Sequence, residues 1–349
     1  MAKLKILVAD DSPMMRMAIR SLLEDADDME VIGEAGNGRE AVRLAAELRP
    51  DLITMDVEMP VMNGIQAIGE IMSHQAVPIL VVSNHNDAKT ACGAIARGAL
   101  EILSKSDLTP QTAPHFVNTL RRLARVPVTT RPRVAPPVAP PLRTPSRPAA
   151  MATFPASNRT PQIFAIASST GGPQALAAIL SRLPAEFPCP VVIAQHIAFG
   201  FANGLAEWLD GLCVPTVRLA REGEPLNPGN IYVSPSESHL KVTRVRHLSL
   251  ASHGARDIYR PSCDQLLASV AEVYGHHAVG IILTGMGNDG AQGMERIFQA
   301  GGPTLAQDET SSVVFGMNRV AIDRGWIRKV LPIAAIGPEM CRLAGVAAI

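Results

Sequence analysis

The stretch IFAIASSTGGPQALAAIL, residues 163–180, joins an apolar run to a second apolar run through a turn of small residues. The first run has the length of a buried strand, and Pro173 stands where the first turn of a helix accepts proline. Further strand-like runs follow, and they alternate with helical stretches: PVVIAQ, GIILT and PTLAQ alternate with ANGLAEWLD and GMERIFQAG. This alternation predicts a doubly wound α/β domain. Between these runs, NIYVSPSESHLKVTRVRHLSLA has the period-two pattern that predicts an antiparallel hairpin.

The N-terminal part of the chain shows the same alternation five times. Its strand-like runs are LKILVA, MEVIGEA, DLITM, PILVV and LEIL, and an amphipathic stretch follows each one. The pattern predicts a second α/β domain with a five-stranded parallel, doubly wound sheet. Between Pro127 and Pro161, 10 of 35 residues are proline and none is acidic, which favours an extended tether. We therefore predict a first domain at 1–125, a Pro-rich linker at 126–161 and a second domain at 162–349.

Composition limits the classes of protein to consider. The 349 residues are 47% hydrophobic and 18% charged, with 32 basic and 32 acidic side chains, so no bulk charge attracts nucleic acid. The five cysteines are scattered without C-x-x-C spacing, which argues against a disulfide framework and a structural zinc site. No apolar run approaches the ~18 residues of a membrane span, and the N-terminal apolar stretch, which Asp10 and Asp11 interrupt, is shorter than a signal peptide requires. We expect a soluble cytoplasmic protein without membrane insertion.

Polar residues end the predicted strands of the first domain. In an open parallel sheet, function gathers outside the carboxyl ends of the strands. The residues expected there are Asp10, Asp11, Asp56, Ser83 and Lys105. Carboxylates suit Mg²⁺, and a central Asp56 can accept a phosphoryl group. The alternative is that the aspartates only cap the following helices.

Residues 1–125 resemble a response-regulator receiver domain, with VADDS, ITMDVEMPVMNG, VVSN and LSKS at the motif positions. The resemblance implies that Asp56 is the phospho-acceptor and that Asp10, Asp11 and Asp56 bind Mg²⁺. It also implies that Ser83 is the switch hydroxyl and that Lys105 contacts the phosphoryl group. The sequence departs from the family pattern in having Ser106 in place of the usual proline and Ile102 in place of a frequent aromatic switch residue.

Three residues of the second domain form a candidate set for nucleophilic catalysis. Ser169 lies on the strand-to-helix turn, His196 closes the next strand, and Asp289 lies in LTGMGNDG, residues 283–290. A serine nucleophile needs a base and an acid that orients the base. The alternatives are a helix cap at Ser169, a phosphate cradle at the Gly-Gly turn and an Asx turn at Asp289. The cradle lacks both glycine-rich nucleotide motifs, and the other histidines lack the spacing of a zinc hydrolase.

The second domain resembles the catalytic domain of chemotaxis protein-glutamate methylesterases. The motifs are ASSTGGPQAL, AQHIAFGFANGLAEWLD, REGEPLNPGNIYVSP, RPSCDQLLASVAEVYG and ILTGMGNDGAQGM. The resemblance implies that Ser169 is the nucleophile, His196 the base and Asp289 the orienting acid. Thr170 and the backbone of Met286 become candidates for oxyanion stabilisation. Ala167 and Ala198 replace a glycine and a proline that are common in the family, and both flank the site.

The implied function is hydrolysis of glutamate methyl esters on methyl-accepting chemoreceptors, with deamidation of receptor glutamines. A chemotaxis histidine kinase would supply the phosphoryl group, the receiver would need Mg²⁺, and the esterase chemistry would need no cofactor. We expect a monomer. One alternative is a response regulator with a non-catalytic protein-binding output domain. Another is a transcription factor, but the second half of the chain lacks a basic helix-turn-helix pattern.

Overall fold

The structure is a computed structural model that describes residues 3–84, 88–128, 161–254, 257 and 259–349. Most of the predicted linker at 126–161 lies outside these residues, so the boundaries of the three parts stay predictions. No helix in the described ranges is long and apolar enough to cross a lipid bilayer.

The N-terminal domain is one parallel sheet between two layers of helices. Its strands are β1 (Leu4–Ala9), β2 (Met29–Ala35), β3 (Leu52–Met55), β4 (Ile79–Ser83) and β5 (Glu101–Ser104). Its helices are α1 (Pro13–Glu24), α2 (Gly38–Leu48), α3 (Gly64–His74), α4 (Ala88–Arg97) and α5 (Ala113–Leu123). The strand order is β2-β1-β3-β4-β5, and every neighbouring pair is parallel. The predicted five-stranded, doubly wound sheet is confirmed.

The helices of this domain begin at residues other than the strand-end aspartates. The side chains of Ser12 and Asn63 accept backbone N–H hydrogen bonds and cap α1 and α3. Asp10, Asp11 and Asp56 are therefore not the caps, and the capping alternative is wrong for them. Strands β3 and β4 are buried along their whole length because helices cover both faces, which explains their continuous apolar runs.

The C-terminal domain is a larger parallel sheet with a separate hairpin. Its strands are β6 (Ile163–Ser168), β7 (Val191–Gln195), β8 (Thr216–Leu219), β9 (Asn230–Val233), β10 (Ser238–Val242), β11 (Leu248–Ser252), β12 (Ala278–Ile282), β13 (Thr304–Gln307) and β14 (Lys329–Leu331). Its helices are α6 (Gly172–Leu180), α7 (Ala202–Asp210), α8 (Cys263–Tyr274), α9 (Ala291–Gln299), α10 (Met317–Asp323) and α11 (Ile333–Ala344). The sheet order is β14-β13-β12-β6-β7-β9-β8.

The predicted hairpin is confirmed, but it is shorter than its sequence pattern. Strands β10 and β11 pair antiparallel, whereas NIYV at the start of the pattern joins the main sheet as β9. There β9 lies between β7 and β8, and its apolar side chains are buried. Burial on both faces of a parallel sheet accounts for this consecutive apolar run.

The two domains pack against each other through helices. Helix α4 of the N-terminal domain lies on α7 of the C-terminal domain, and Ile95 and Leu205 belong to one buried apolar cluster. Gln174 at the start of α6 donates to the carbonyl oxygens of Ile95 and Ala99, at 3.0 and 2.9 Å. The contact therefore brings the β5 side of the N-terminal sheet to the carboxyl edge of the second sheet.

Candidate active site

Sheet register brings the three predicted residues to one edge. Strands β6 and β7 pair Ser168 with Gln195, so Ser169 and His196 are the next residues of two neighbouring strands. The backbone N–H of His196 donates to the carbonyl oxygen of Ser168 at 3.0 Å. Strand β12 lies on the other side of β6, and the loop after it carries Asp289.

His196 and Asp289 are joined by a hydrogen bond. The His196 Nε2 atom lies 2.8 Å from Asp289 Oδ2. The buried carboxylate also accepts from the first turn of α8, through the backbone N–H groups of Cys263 at 2.6 Å and Asp264 at 3.0 Å and the Ser262 hydroxyl at 3.2 Å. These contacts are not an Asx turn, so that alternative is wrong for Asp289.

Electrostatics keep Asp289 ionised. Burial opposes the charge, but the hydrogen bond and charge of His196, together with the amides of α8, outweigh burial and lower the pKa of this carboxyl. An ionised Asp289 holds Nε2 of His196 and fixes the orientation of the ring. Nδ1 is then the nitrogen that could accept a proton from a nucleophile.

Ser169 is held by its backbone. Its N–H donates to Thr284 O at 3.0 Å, and its carbonyl accepts from Gln195 Nε2 at 2.8 Å. The N-cap of α6 is Gly171, without a side-chain hydrogen bond, so the capping alternative for Ser169 is wrong. A Cβ on Gly285 would lie 2.8 Å from the Ser169 Cβ, so glycine permits this close approach. Among the described residues, no hydrogen bond joins the Ser169 hydroxyl to His196.

The N-terminal domain contacts both oxyanion candidates. The Thr170 hydroxyl donates to Glu101 Oε2 at 2.7 Å, and Arg122 donates to the same carboxylate oxygen at 2.6 Å. Another nitrogen of Arg122 lies 3.4 Å from the Met286 sulfur. The carboxylate of Glu101, in β5, therefore accepts the hydrogen bond of the Thr170 hydroxyl, and Thr170 directly follows Ser169.

The strand-end residues of the N-terminal domain form a second polar cluster. Lys105 Nζ lies 2.8 Å from Asp10 Oδ2 and 2.8 Å from Asp56 Oδ2. Oxygen atoms of Asp10, Asp11 and Asp56 all lie within 4.8 Å of one another, which is a donor set that suits a hard divalent cation. The Ser83 hydroxyl is buried and has no hydrogen-bond partner among the residues that the structure describes, so it could bond an added oxygen ligand.

Asp56 carries an unfavourable charge in this cluster. Burial and the neighbouring Asp10 outweigh the attraction of Lys105 and raise the pKa of the Asp56 carboxyl to about 6. The unfolded chain keeps the ordinary value near 3.8, so folded protein binds the proton more tightly. The resulting stability is present below that value and is lost as the pH rises toward about 6.

We expect Asp56→Asn to stabilise the N-terminal domain by about 1–3 kcal/mol near pH 7 without divalent cations. The neutral amide removes the cost of the buried charge. Urea unfolding of both proteins at about pH 7 and about pH 5 measures the effect, which should shrink at the lower pH. An equal or larger gain at the lower pH would contradict the assigned cause.

The two departures from the receiver pattern are local. Ser106 follows Lys105 in a short 3₁₀ turn at Lys105–Asp107, and the only cis peptide among the described residues is Arg260-Pro261. The peptide before Ser106 is therefore trans. The second departure, Ile102, is a buried side chain of β5. Because it is not aromatic, a switch that moves an aromatic ring between buried and exposed positions is absent at this residue.

Sequence reasoning missed several residues that build the active-site region. Gln195 donates to the carbonyls of Ser169 and His196, and Asp264 accepts from Gly290 at 2.9 Å and Gly293 at 2.7 Å. Burial is the main cause that raises the pKa of Asp264 to about 6. The motif RPSCDQLL did contain a sequence signal for the start of α8, because Ser262 precedes the helix and its side chain caps it by accepting from the Gln265 N–H.

Both domains of the chain match families of known proteins. Residues 164–340 match the CheB methylesterase family, and residues 6–111 match the response regulator receiver domain. A protein-glutamate methylesterase/protein-glutamine glutaminase of Paramagnetospirillum magneticum is 51% identical over 98% of this chain and 97% of its own length. The chain belongs to the CheB methylesterase family. The predicted family membership is thereby confirmed.

Other members of the CheB methylesterase family agree in length and fold. A protein-glutamate methylesterase/protein-glutamine glutaminase of Myxococcus xanthus is 41% identical over 97% of this chain and 96% of its own length. The crystal structure of the Thermotoga maritima CheB methylesterase catalytic domain is 36% identical, with a TM-score of 0.51. It covers 53% of this chain and 99% of that chain. The similarity thus extends over both domains in the sequence relatives.

Proposed function

We propose that this protein hydrolyses glutamate methyl esters on methyl-accepting chemoreceptors in the cytoplasm, releasing methanol and restoring glutamate, and that it deamidates receptor glutamines. The observation that carries the proposal is the hydrogen bond between His196 and Asp289 at the strand edge where Ser169 also lies. Membership in the CheB methylesterase family supplies the substrate class. The protein would act as a monomer, without nucleic acid.

The proposed chemistry uses a serine nucleophile. Ser169 attacks the ester carbonyl, and Nδ1 of His196 takes the hydroxyl proton and returns it to the methoxide leaving group. Water then hydrolyses the acyl-enzyme with His196 as the base. Asp289 holds the ring through Nε2 and stabilises its positive charge. No cofactor is required for these steps.

Thr170 and Met286 are proposed to stabilise the oxyanion. Backbone N–H groups that follow a nucleophile on a strand-to-helix turn are well placed for this role. Both residues contact the receiver domain through Glu101 and Arg122. This contact would hinder a receptor helix from reaching Ser169, and we propose that it limits the basal activity.

Phosphorylation is proposed to release this contact. A chemotaxis histidine kinase would phosphorylate Asp56, and Mg²⁺ held by Asp10, Asp11 and Asp56 would neutralise charge during phosphoryl transfer. The phosphoryl group adds roughly −1.5 to −2 charges where Lys105 now bridges two aspartates. Lys105 directly follows β5, and Glu101 begins that four-residue strand. Movement of Lys105 can therefore reach the Glu101–Thr170 contact through one short element.

The test is methanol release from methylated receptor membranes with and without a small phosphodonor and Mg²⁺. We expect the phosphodonor to stimulate wild type, and we expect Asp56→Asn to lose this stimulation because it has no acceptor carboxylate. Phos-tag electrophoresis checks that only wild type is phosphorylated. Equal stimulation of both proteins would contradict the proposed control. Absence of release from wild type would favour a non-catalytic protein-binding output domain.

A further inference from the structure

Tyr259 lies against the ring of His196. The two ring centroids are 5.1 Å apart and the planes differ by 10°, which is a stacked arrangement. The Tyr259 hydroxyl donates to Asn288 Oδ1 at 3.2 Å, next to Asp289. A Cβ on Gly287 would lie 2.7 Å from the Tyr259 oxygen, so glycine leaves room for the tyrosine hydroxyl at this position.

We propose that Tyr259 is a positioning residue for the esterase reaction. Its ring covers one face of the imidazole and holds the imidazole in the orientation in which Nε2 contacts Asp289. It also stabilises the ring in its positively charged form, because the face of an aromatic ring attracts a cation. This inference rests on the proposed function and names a further residue of the same site.

One buried histidine fastens the segment that carries Tyr259. His239 in β10 donates from Nε2 to Asp257 Oδ2 at 2.8 Å, and its Nδ1 accepts from the backbone N–H of Ser262 at 2.9 Å. Asp257 and Ser262 bracket Tyr259 in the sequence. His239 therefore ties the segment to the hairpin on both sides of the tyrosine, and it also holds the first turn of α8, which binds Asp289.

His239, His253 and Asp257 have the residue types of a metal site, but hydrogen bonds explain why these three side chains lie together. Donor atoms of His239, His253 and Asp257 lie within 4.8 Å of one another. Since Nδ1 of His239 accepts from an amide, Nε2 carries the hydrogen of the neutral ring and has no lone pair for a metal. His253 donates from Nε2 to Ser236 O at 3.1 Å, which leaves its Nδ1 as a second acceptor for the His239 hydrogen, also at 3.1 Å.

Other titratable groups also face His196, and the test must separate them from Tyr259. Asp289 bonds Nε2, the Cys263 sulfur lies 3.5 Å from the same nitrogen, and Asp264 adjoins Asp289. From the receiver side, Glu101 and Arg122 reach the neighbouring Thr170 and Met286. None of these groups changes in a Tyr259 variant, so a difference between variants of this residue reports the ring contact.

The test compares Tyr259→Leu with Tyr259→Phe in the full-length protein. We expect Tyr259→Leu to lower kcat about three- to thirty-fold, with a smaller effect on KM, and to move the acidic limb of the pH–rate profile to lower pH. Tyr259→Phe keeps the ring and should recover most of the lost rate. NMR titration of the His196 ring, which needs no substrate, should show a lower midpoint for Tyr259→Leu than for the other two proteins.

Two results would overturn the inference. One is a common His196 titration midpoint for wild type, Tyr259→Leu and Tyr259→Phe in proteins with equal thermal unfolding. The other is stoichiometric Zn²⁺ binding by wild type that His239→Gln abolishes. This result would mean that His239 belongs to a metal centre and does not serve to hold the Tyr259 segment. Because the NMR comparison requires no turnover, it distinguishes failure of this inference from failure of the proposed function, in which wild type itself releases no methanol.

Discussion

Ser169→Ala is expected to lower methanol release from methylated receptors by at least about 10³-fold, both with and without phosphodonor. Alanine removes the oxygen that would form the acyl-enzyme, whereas the backbone bonds of residue 169 to Thr284 and Gln195 are retained. The variant should therefore fold normally and still accept a phosphoryl group on Asp56. Methanol assay, phosphorylation and thermal unfolding of the same preparation measure these three properties.

The adjacent serine provides a matched control. Ser168 is fully buried, and its hydroxyl donates to Gln195 Oε1 at 2.7 Å, inside the sheet edge. Ser168→Ala loses this bond but leaves the proposed nucleophile in place. We therefore expect methanol release to fall by less than about tenfold, because one neutral hydrogen bond contributes little free energy. If Ser168→Ala were the inactive variant and Ser169→Ala the active one, the assignment of the nucleophile would be wrong.

Asp289→Asn is expected to reduce kcat by about 10³–10⁴-fold, because an amide does not hold the ring of His196 as a carboxylate does. The amide nitrogen is a donor, and it would face either His196 Nε2 or the backbone N–H groups of Cys263 and Asp264. The charge that stabilises a protonated His196 is also lost. The steady-state rate on methylated receptor membranes measures the effect.

Asp264 supplies the comparison for this substitution. Asp264→Asn changes an acidic residue in the same network, but its carboxylate bonds Gly290 and Gly293 rather than His196. We expect it to reduce the rate by far less than Asp289→Asn, because an amide oxygen can still accept from both glycine N–H groups. A similar rate loss for both variants, with equal stability, would contradict the specific role of Asp289.

The position of the three candidate residues at one edge of the second sheet could be predicted from the apolar pattern of its strands and from their parallel order. Apolar runs identified β6, β7 and β12, and the parallel order placed the residues that follow them at one edge. This is why His196 and Asp289 could be paired from the sequence although 93 positions separate them. The same logic grouped Asp10, Asp56 and Lys105, since each follows a strand of the first sheet.

The remaining contacts depend on packing that local sequence does not encode. Glu101 opens a strand and would be read as an ordinary polar end, yet domain docking places it on Thr170. Tyr259 lies against His196 in a segment whose Asp257 and Ser262 bond to His239 in a separate hairpin. NIYV was grouped with the hairpin because its alternation resembles that of β10, and its pairing with β7 was not visible in the pattern.

The proposed ester hydrolysis is tested most directly by mass spectrometry of receptor peptides after incubation with this protein in H₂¹⁸O. We expect wild type with phosphodonor to convert glutamate methyl esters to glutamates that carry one ¹⁸O atom, with an equal amount of methanol, and we expect Ser169→Ala to leave the esters intact. Intact esters after incubation with folded, phosphorylated wild type and receptors of its own organism would contradict it.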